Sequence, residues 1–230
     1  MSKPIFSTLP TGDFVLASAS ATRVKLLEDA GIGFCQYPVS IDEVALRAAS
    51  IAEAIPAQDI AVILAEMKAA VAVQRLETDH LVSPAYVLGC DQILVCDEVI
   101  YSKPKDIVTA KSQLSALSGK THQLFTAVVL FQHGKRIWHH LSVADMTMRQ
   151  FDEKFIDFYL EKLGEVAFFS PGSYQIESIG AQLFSQIKGC HYGILGIPLL
   201  ELLTILCEHG LSPFDKKSQN KSEGKFGYSS

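Results

Sequence analysis

No stretch of the chain approaches the roughly 18 uninterrupted apolar residues of a membrane span. The opening "MSKPIFSTLPTGDF" also has no apolar run resembling a signal peptide. A soluble, cytoplasmic protein that does not engage a membrane is therefore expected. A basic excess is missing too: 20 Lys and Arg stand against 25 Asp and Glu, for a formal net charge of -5. Without a global positive field the chain is not expected to grip nucleic acid, and an anionic substrate must be met by a local cluster of cations. The five cysteines, Cys35, Cys90, Cys96, Cys190 and Cys207, are odd in number, form no CxxC pair and lie mostly inside apolar runs. They read as reduced core thiols. The histidines are scattered, and the adjacent His139 and His140 point to opposite faces if they lie on a strand, so no zinc framework is expected. There is no internal repeat.

What is present is enough chain for one substantial domain with room for two lobes around a cleft. Residues 1–214 are expected to form it, followed by a polar, lysine-rich and mobile tail over residues 215–230, "DKKSQNKSEGKFGYSS". "FVLASAS" reads as a strand ending in small hydroxyl residues, and "ATRVKLLEDAGI" as a helix capped by Ser20 and stopped by Gly31. "GFCQYPVSIDEV" reads as a strand entering a loop that carries the acidic pair Asp42 and Glu43. From Pro56 to about Val73 a helix buries Ile60, Ile63, Leu64, Met67 and Val71 and leaves Lys68 near the edge of its apolar face.

"YVLGC" is a buried strand, and "QILVC" with "EVIYS" resembles a hairpin around Asp97. "DIVTAKSQLSALSG" is an amphipathic helix. Two β-rich runs joined by "HGKR" form an antiparallel hairpin. "DEKFIDFYLEKLG" is helical, "AQLFSQIKG" gives a strand and turn, and "IPLLELLTILCEHG" is a closing helix with Pro198 in its first turn. Helices alternate with strands but hairpins interrupt the alternation, so the fold class is α/β with a mixed sheet, in the α+β sense, and not purely doubly wound.

Two places carry chemistry. The turn "SASATR" offers a helix N-terminus, the hydroxyls of Ser18 and Ser20, and Arg23 one turn in, which suits phosphate. It lacks P-loop glycines, and from the spacing alone an ordinary N-cap with a surface arginine fits better. The second place is Asp91, a lone acid between "VLG" and "ILV". Buried unpaired it would be costly, so it should lie at a strand end or beside a cation or metal. Lys103, whose backbone is biased to an extended form by the following proline, is the nearest downstream cation. An acid that orients a water or a divalent ion, beside a lysine that neutralises developing charge, suits metal-assisted hydrolysis. A structural ion pair is the other reading. Glu43 and Lys68 taken singly read as surface charges.

Taken together, "LASASATRVKLLEDAGIGF", "SIDE", "AEMKA", "GCDQILVCDEVIYSKPKD", "LSGKTHQLFTAVVL", "PGSYQIESIGAQLFSQIKG" and "GIPLLELL" resemble the Maf (septum formation) family of nucleoside triphosphate pyrophosphatases. The resemblance runs in order from about residue 14 to 209. It implies a two-lobed fold like that of inosine triphosphatases, with a twisted mixed sheet flanked by helices and a deep cleft, commonly as a homodimer. It implies hydrolysis of a nucleoside triphosphate between its α and β phosphates with a divalent cation, Mg or Mn. Ser18 and Arg23 match the phosphate-binding turn, and Lys68 and Lys103 the phosphate-facing lysines. Glu43 matches an acid that helps hold metal, and Asp91 the catalytic acid, as base or metal ligand.

Three positions depart from the common pattern: Thr22 replaces an arginine, Gln92 a threonine and Glu177 a glutamine. In the family these positions are associated with base selection, and this combination resembles the subfamily acting on 7-methyl-GTP more than the one acting on dTTP and UTP. A carboxylate at Glu177 can compensate the positive charge of an N7-methylated guanine, where a neutral amide cannot. The family's link with septum formation leaves a second class open, a nucleotide-binding cell-division regulator with little turnover, and pyrophosphatase activity on dTTP, UTP or CTP is a further alternative.

Overall fold

The computed structural model describes residues 13–78 and 85–211; the expected polar tail lies outside the described residues. Strand β1 (Phe14–Ala17) leads through a tight turn into helix α1 (Ala21–Asp29) and back to the short strand β2 (Cys35–Gln36). Ser20 caps α1 by accepting from the Arg23 backbone N–H, and Gly31 follows the helix with a φ of 71°. Both were expected from the sequence.

The segment expected as a loop after β2 is helix α2 (Glu43–Ala52). Asp42 is its N-cap and accepts from the Ala45 N–H at 2.9 Å, so the acidic pair divides its work: one member caps, the other is the first helical residue. Helix α3 (Ala57–Thr78) runs a turn beyond the expected end. Its buried face also differs from the expected one, being Ile60, Ala61, Leu64, Ala65, Ala69, Ala72 and Leu76, while Met67 is exposed. The cause is close packing against the sheet. A Cβ placed on Gly89 of the next strand would lie 2.1 Å from the Ala65 carbonyl oxygen, so only small residues fit between helix and sheet.

Strand β3 (Tyr86–Cys96) is a single unbroken element that turns at Asp97 and Glu98, both at positive φ, into β4 (Val99–Tyr101). Helix α4 (Ile107–Leu117) follows, then the long hairpin of β5 (Thr121–Gln132) and β6 (Lys135–Met148), and helix α5 (Glu153–Leu163). The expected strand at "AQLFSQIKG" begins later, as β7 (Phe184–Lys188) after a 3₁₀ turn. The short α6 (His191–Ile194) and α7 (Leu199–Glu208) close the chain, with Pro198 as the N-cap of α7 and not inside its first turn.

These strands form one seven-stranded mixed sheet in the order β2-β1-β3-β5-β6-β7, with β4 on β3. β1 pairs in parallel with β2 and β3, and every other pairing is antiparallel. One face is covered by α3 over Val15, Val87, Ile93, Ala127 and Val129. The other carries two separate clusters. α1 and α7 pack over Leu16, Leu88, Cys90 and Val128 at one end, and α4 and α5 pack around Leu94, Leu124 and Met146 at the other. The long strands β3 and β5 run under both, and this gives the fold its two lobes.

The edge of β3 is shared in a way that matters for the site. β1 pairs with residues 86–89 and β4 with residues 94–96. Among the described residues no strand pairs with residues 90–93 on that edge, which opens a gap at mid-strand. Gly89→Ala, just before the gap, is expected to destabilise the fold by at least about 2 kcal/mol through overpacking against Ala65 and Ala69, measured as a lowered urea midpoint at unchanged slope.

Candidate functional site

Asp91 sits in the gap at the middle of β3, two residues past the last β1 pairing at Gly89; of the two placements expected for it, a strand end or a position beside a cation, it takes the second. Crevices beyond the carboxyl ends of parallel strands, where the sheet changes direction, are the usual ligand sites of open α/β sheets. The pleat sends Asp91 toward α3. There its Oδ1 lies 2.6 Å from the Nζ of Lys68, which is also 2.8 Å from Oε1 of Glu43 on α2. The Asp91 and Lys68 side chains are only 5% and 12% exposed, so the pair is desolvated on both sides.

Burial raises the Glu43 carboxyl, but Lys68, with Arg47 and Lys103, outweighs it and holds the group below its ordinary value. Lys103 has no ion-pair partner among the described residues. Partial burial lowers its ammonium, opposed by Glu43 and Asp91 and reinforced by Arg23 and Lys68, so its charge shares their surroundings. The neighbouring Cys90 is fully buried, and its thiol is pushed up to about 11 by that burial, which leaves it inert as a nucleophile.

The serine turn lies across the same gap. Arg23 is buried, against the surface arginine that the spacing alone left open. Its Nη1 donates to Ser18 Oγ at 3.1 Å and to the Cys90 carbonyl at 3.0 Å, and its Nε donates to the Gly196 carbonyl at 3.0 Å. It thereby satisfies a carbonyl of β3 in the stretch that β1 and β4 leave unpaired. The Ser20 backbone N–H also donates to Ser18 Oγ, at 3.3 Å. With both lone pairs of that hydroxyl engaged, its own proton is left to donate, as an anion requires. The Nη2 of Arg23 makes no hydrogen bond among the described residues and is the part of its fork left for a ligand.

Gln92 faces the opposite side of the sheet from Asp91. Its amide NH₂ donates to Thr126 Oγ1 at 2.8 Å and to the carbonyls of Ile194 and Gly193 at 3.0 and 3.3 Å. Two of these acceptors are carbonyls, so the amide orientation is fixed and Oε1 remains as an acceptor. Thr22 and Glu177, 155 residues apart, meet at 3.2 Å through a Thr22 hydroxyl donating to the carboxylate. The structure thus places Ser18, Arg23, Glu43, Lys68, Asp91 and Lys103 around one gap, and pairs Thr22 with Glu177.

One residue escaped the sequence reading. Arg47 of α2 contacts Glu43 at 3.3 Å, Asp91 Oδ2 at 3.9 Å and Ser102 Oγ at 3.2 Å. Its signal was the i,i+4 spacing from Glu43, which has meaning only once Asp42 is seen to start a helix.

Among the described residues no group of three or more His, Cys, Asp or Glu could hold a metal by itself. The donor set nonetheless fits a hard divalent cation that shares its shell with substrate. Two carboxylates stand on either side of one positive charge, and Asp91 Oδ2 is buried without a hydrogen-bond partner.

The family profile described as "Maf-like protein" matches residues 13–209. The chain belongs to the Maf-like protein family. Among curated Maf-like relatives, the nucleoside triphosphate pyrophosphatase of Paramagnetospirillum magneticum is 44% identical over 196 residues, covering 85% of this chain and 98% of the relative. The 7-methyl-GTP pyrophosphatase of Brucella abortus is 44% identical over 196 residues, with 85% and 96% covered. That of Mesorhizobium japonicum is 42% identical over 196 residues, with the same two shares. The mixed sheet and flanking helices of this chain are those expected of a Maf-like protein.

Breaking the buried pair tests the site's electrostatics apart from any activity. Lys68→Met leaves the Asp91 carboxylate without its closest counter-charge and is expected to lower stability by about 3 kcal/mol. Asp91→Asn added to that variant should recover most of the loss. Chemical unfolding of the four chains in a double-mutant cycle measures both.

Proposed function

We propose that this chain is a pyrophosphatase that hydrolyses a nucleoside triphosphate to the monophosphate and pyrophosphate, with 7-methyl-GTP as the favoured substrate. The observation that carries the reading is the buried Asp91 carboxylate, held by Lys68 beside Glu43 in the gap of the sheet edge. The names of the relatives agree with it. A divalent cation, Mg or Mn, would be held by Glu43 and Asp91, where it would neutralise phosphate charge and polarise the reacting phosphorus. Residues 1–214 are read as a single catalytic domain. We read the chain as a homodimer, as the family resemblance implies, and as cytoplasmic, as expected from a sequence without a signal-like apolar run; no helix among the described residues is long and apolar enough to cross a membrane.

In this mechanism the Ser18 hydroxyl proton, the free Nη2 of Arg23, Lys68 and Lys103 bind the phosphate chain and orient its α-phosphorus toward Asp91. Asp91 accepts a proton from the attacking water. The new P–O bond forms at the α-phosphorus as the bond to the bridging oxygen breaks, and the pyrophosphate leaves with its charge balanced by the lysines. Base choice lies on the other side of the strand. Gln92 Oε1 and the Glu177 carboxylate both accept hydrogen bonds, which suits the N–H donors on the Watson–Crick edge of guanine. A carboxylate also suits the positive charge of the N7-methylated ring.

Pyrophosphate release across a panel of 7-methyl-GTP, dTTP, UTP and CTP, with and without added divalent cation, tests the assignment. Metal-dependent release fastest with 7-methyl-GTP is expected, and Asp91→Asn should lower it by roughly 100-fold or more with the fold intact. Release from no nucleotide despite measurable binding would identify a regulator instead. Near-normal turnover by the Asn variant would remove Asp91 from the mechanism. Glu177→Gln is expected to lower kcat/KM for 7-methyl-GTP by roughly tenfold relative to UTP, the scale of one charge-assisted hydrogen bond. An unchanged ratio would take Glu177 out of base recognition.

A further inference from the structure

The Arg47 guanidinium is placed oddly for a structural residue. Its side chain is 13% exposed, and its Nε is buried without a hydrogen-bond partner. On Asp91, Oδ2 is likewise buried and without a hydrogen-bond partner; the guanidinium atom that approaches it, Nη2, donates to Glu43 and stands 3.9 Å away, too far to hydrogen-bond. A guanidinium with an unsatisfied Nε, facing a carboxylate with an unsatisfied Oδ2 without closing on it, is not how a protein completes an ion pair for stability. It is the arrangement expected where a third body completes the network.

The charges around the gap say what kind of body. Glu43 and Asp91 are the acids, while Arg23, Arg47, Lys68 and Lys103 are the cations, each within electrostatic reach of at least one other member. Four cations against two carboxylates leave a positive surplus in a chain whose formal net charge is -5. A divalent cation bound there would enlarge the surplus, and the matching ligand is a polyanion of the charge of an ionised triphosphate tail. Arg47 is also the residue that spans the walls of the gap. It starts from α2, reaches Glu43 and Asp91, and donates from Nη1 to Ser102 Oγ, next to Lys103 on the segment after β4.

We infer that Arg47 is a further substrate-binding residue, a guanidinium that binds the polyphosphate chain and joins α2 to the Lys103 segment when the anion arrives. The planar fork suits this role better than another lysine would, because one arm can stay on Ser102 while the other meets phosphate oxygens. The assignment rests on the nucleotide reading of the site, but only on its anion and not on its chemistry.

The test is calorimetric titration of the full chain with inorganic tripolyphosphate, which needs no turnover, beside titration with a nucleoside monophosphate. Arg47→Met is expected to weaken tripolyphosphate binding by roughly tenfold or more, to leave monophosphate binding much less affected, and to raise KM for the nucleotide more than it lowers kcat. Arg47→Lys should recover part of the affinity. If the Met variant fails to fold, Arg47→Gln keeps a polar head for Ser102 without the charge and carries the same comparison. Unchanged tripolyphosphate affinity in a folded, uncharged variant would overturn the assignment, and so would an equal loss for the monophosphate. A native chain that binds tripolyphosphate through Arg47 but hydrolyses no nucleotide would defeat the pyrophosphatase reading and leave the role of Arg47 standing.

Discussion

The structure depends on one electrostatic requirement: a carboxylate in the middle of a buried strand must have a counter-charge. Asp91 is 3% exposed on a strand whose neighbours are apolar, and its nearest cation is Lys68 on the helix packed against that face. For the ammonium to reach, α3 must lie close to the sheet, and it does so through Gly89 and the alanines that face it. For a substrate to reach, the sheet must be open where the acid sits, and β1 and β4 leave their gap there. Packing, topology and charge therefore converge on one position of β3. An ion pair of this kind is weak evidence for stability, since well-packed apolar residues would hold the strand as well. It is better explained as a site kept charged for a ligand.

Adjacent residues on a strand point to opposite faces, and here that alternation divides labour. Asp91 meets the lysine of α3, while Gln92 meets the carbonyls of α6 on the far side. The serine turn and Arg23 tie α1 to the open edge, because the guanidinium reaches Ser18, the Cys90 carbonyl of β3 and the Gly196 carbonyl at once. In the proposed function the phosphate chemistry occupies the Asp91 face, while Gln92 is available on the other face to meet the base.

Much of this was legible in the sequence because local rules coincide with tertiary ones. The cap at Ser20, the stop at Gly31, the hairpin turns at Asp97 and "HGKR" and the lone acid in β3 all carry short-range signals that folding keeps. What was missed depends on partners far away in the chain. Helix α2 buries little beyond Ser50 and leaves Val44 and Ile51 exposed, so its apolar residues mark no core face, and Asp42 was its one clear mark. The buried face of α3 was misassigned because periodicity favours large residues such as Met67, while the close approach of Gly89 selects alanine. Asp91 was expected at a strand end or beside a cation because burial of a lone charge is costly, and the sequence did not say which cation. The counter-charge came from 23 residues upstream, and the opening in the sheet came from neighbouring strands, neither of which is written near Asp91. Arg47 was invisible for the same reason.

In the proposed function water is delivered to one atom, the α-phosphorus beside Asp91, and the pyrophosphate leaves intact. Turnover of 7-methyl-GTP in heavy-oxygen water, with mass analysis of both products, measures this directly. The label is expected in the nucleoside monophosphate, with none in the pyrophosphate. Label in the pyrophosphate, or release of orthophosphate in its place, would contradict the account.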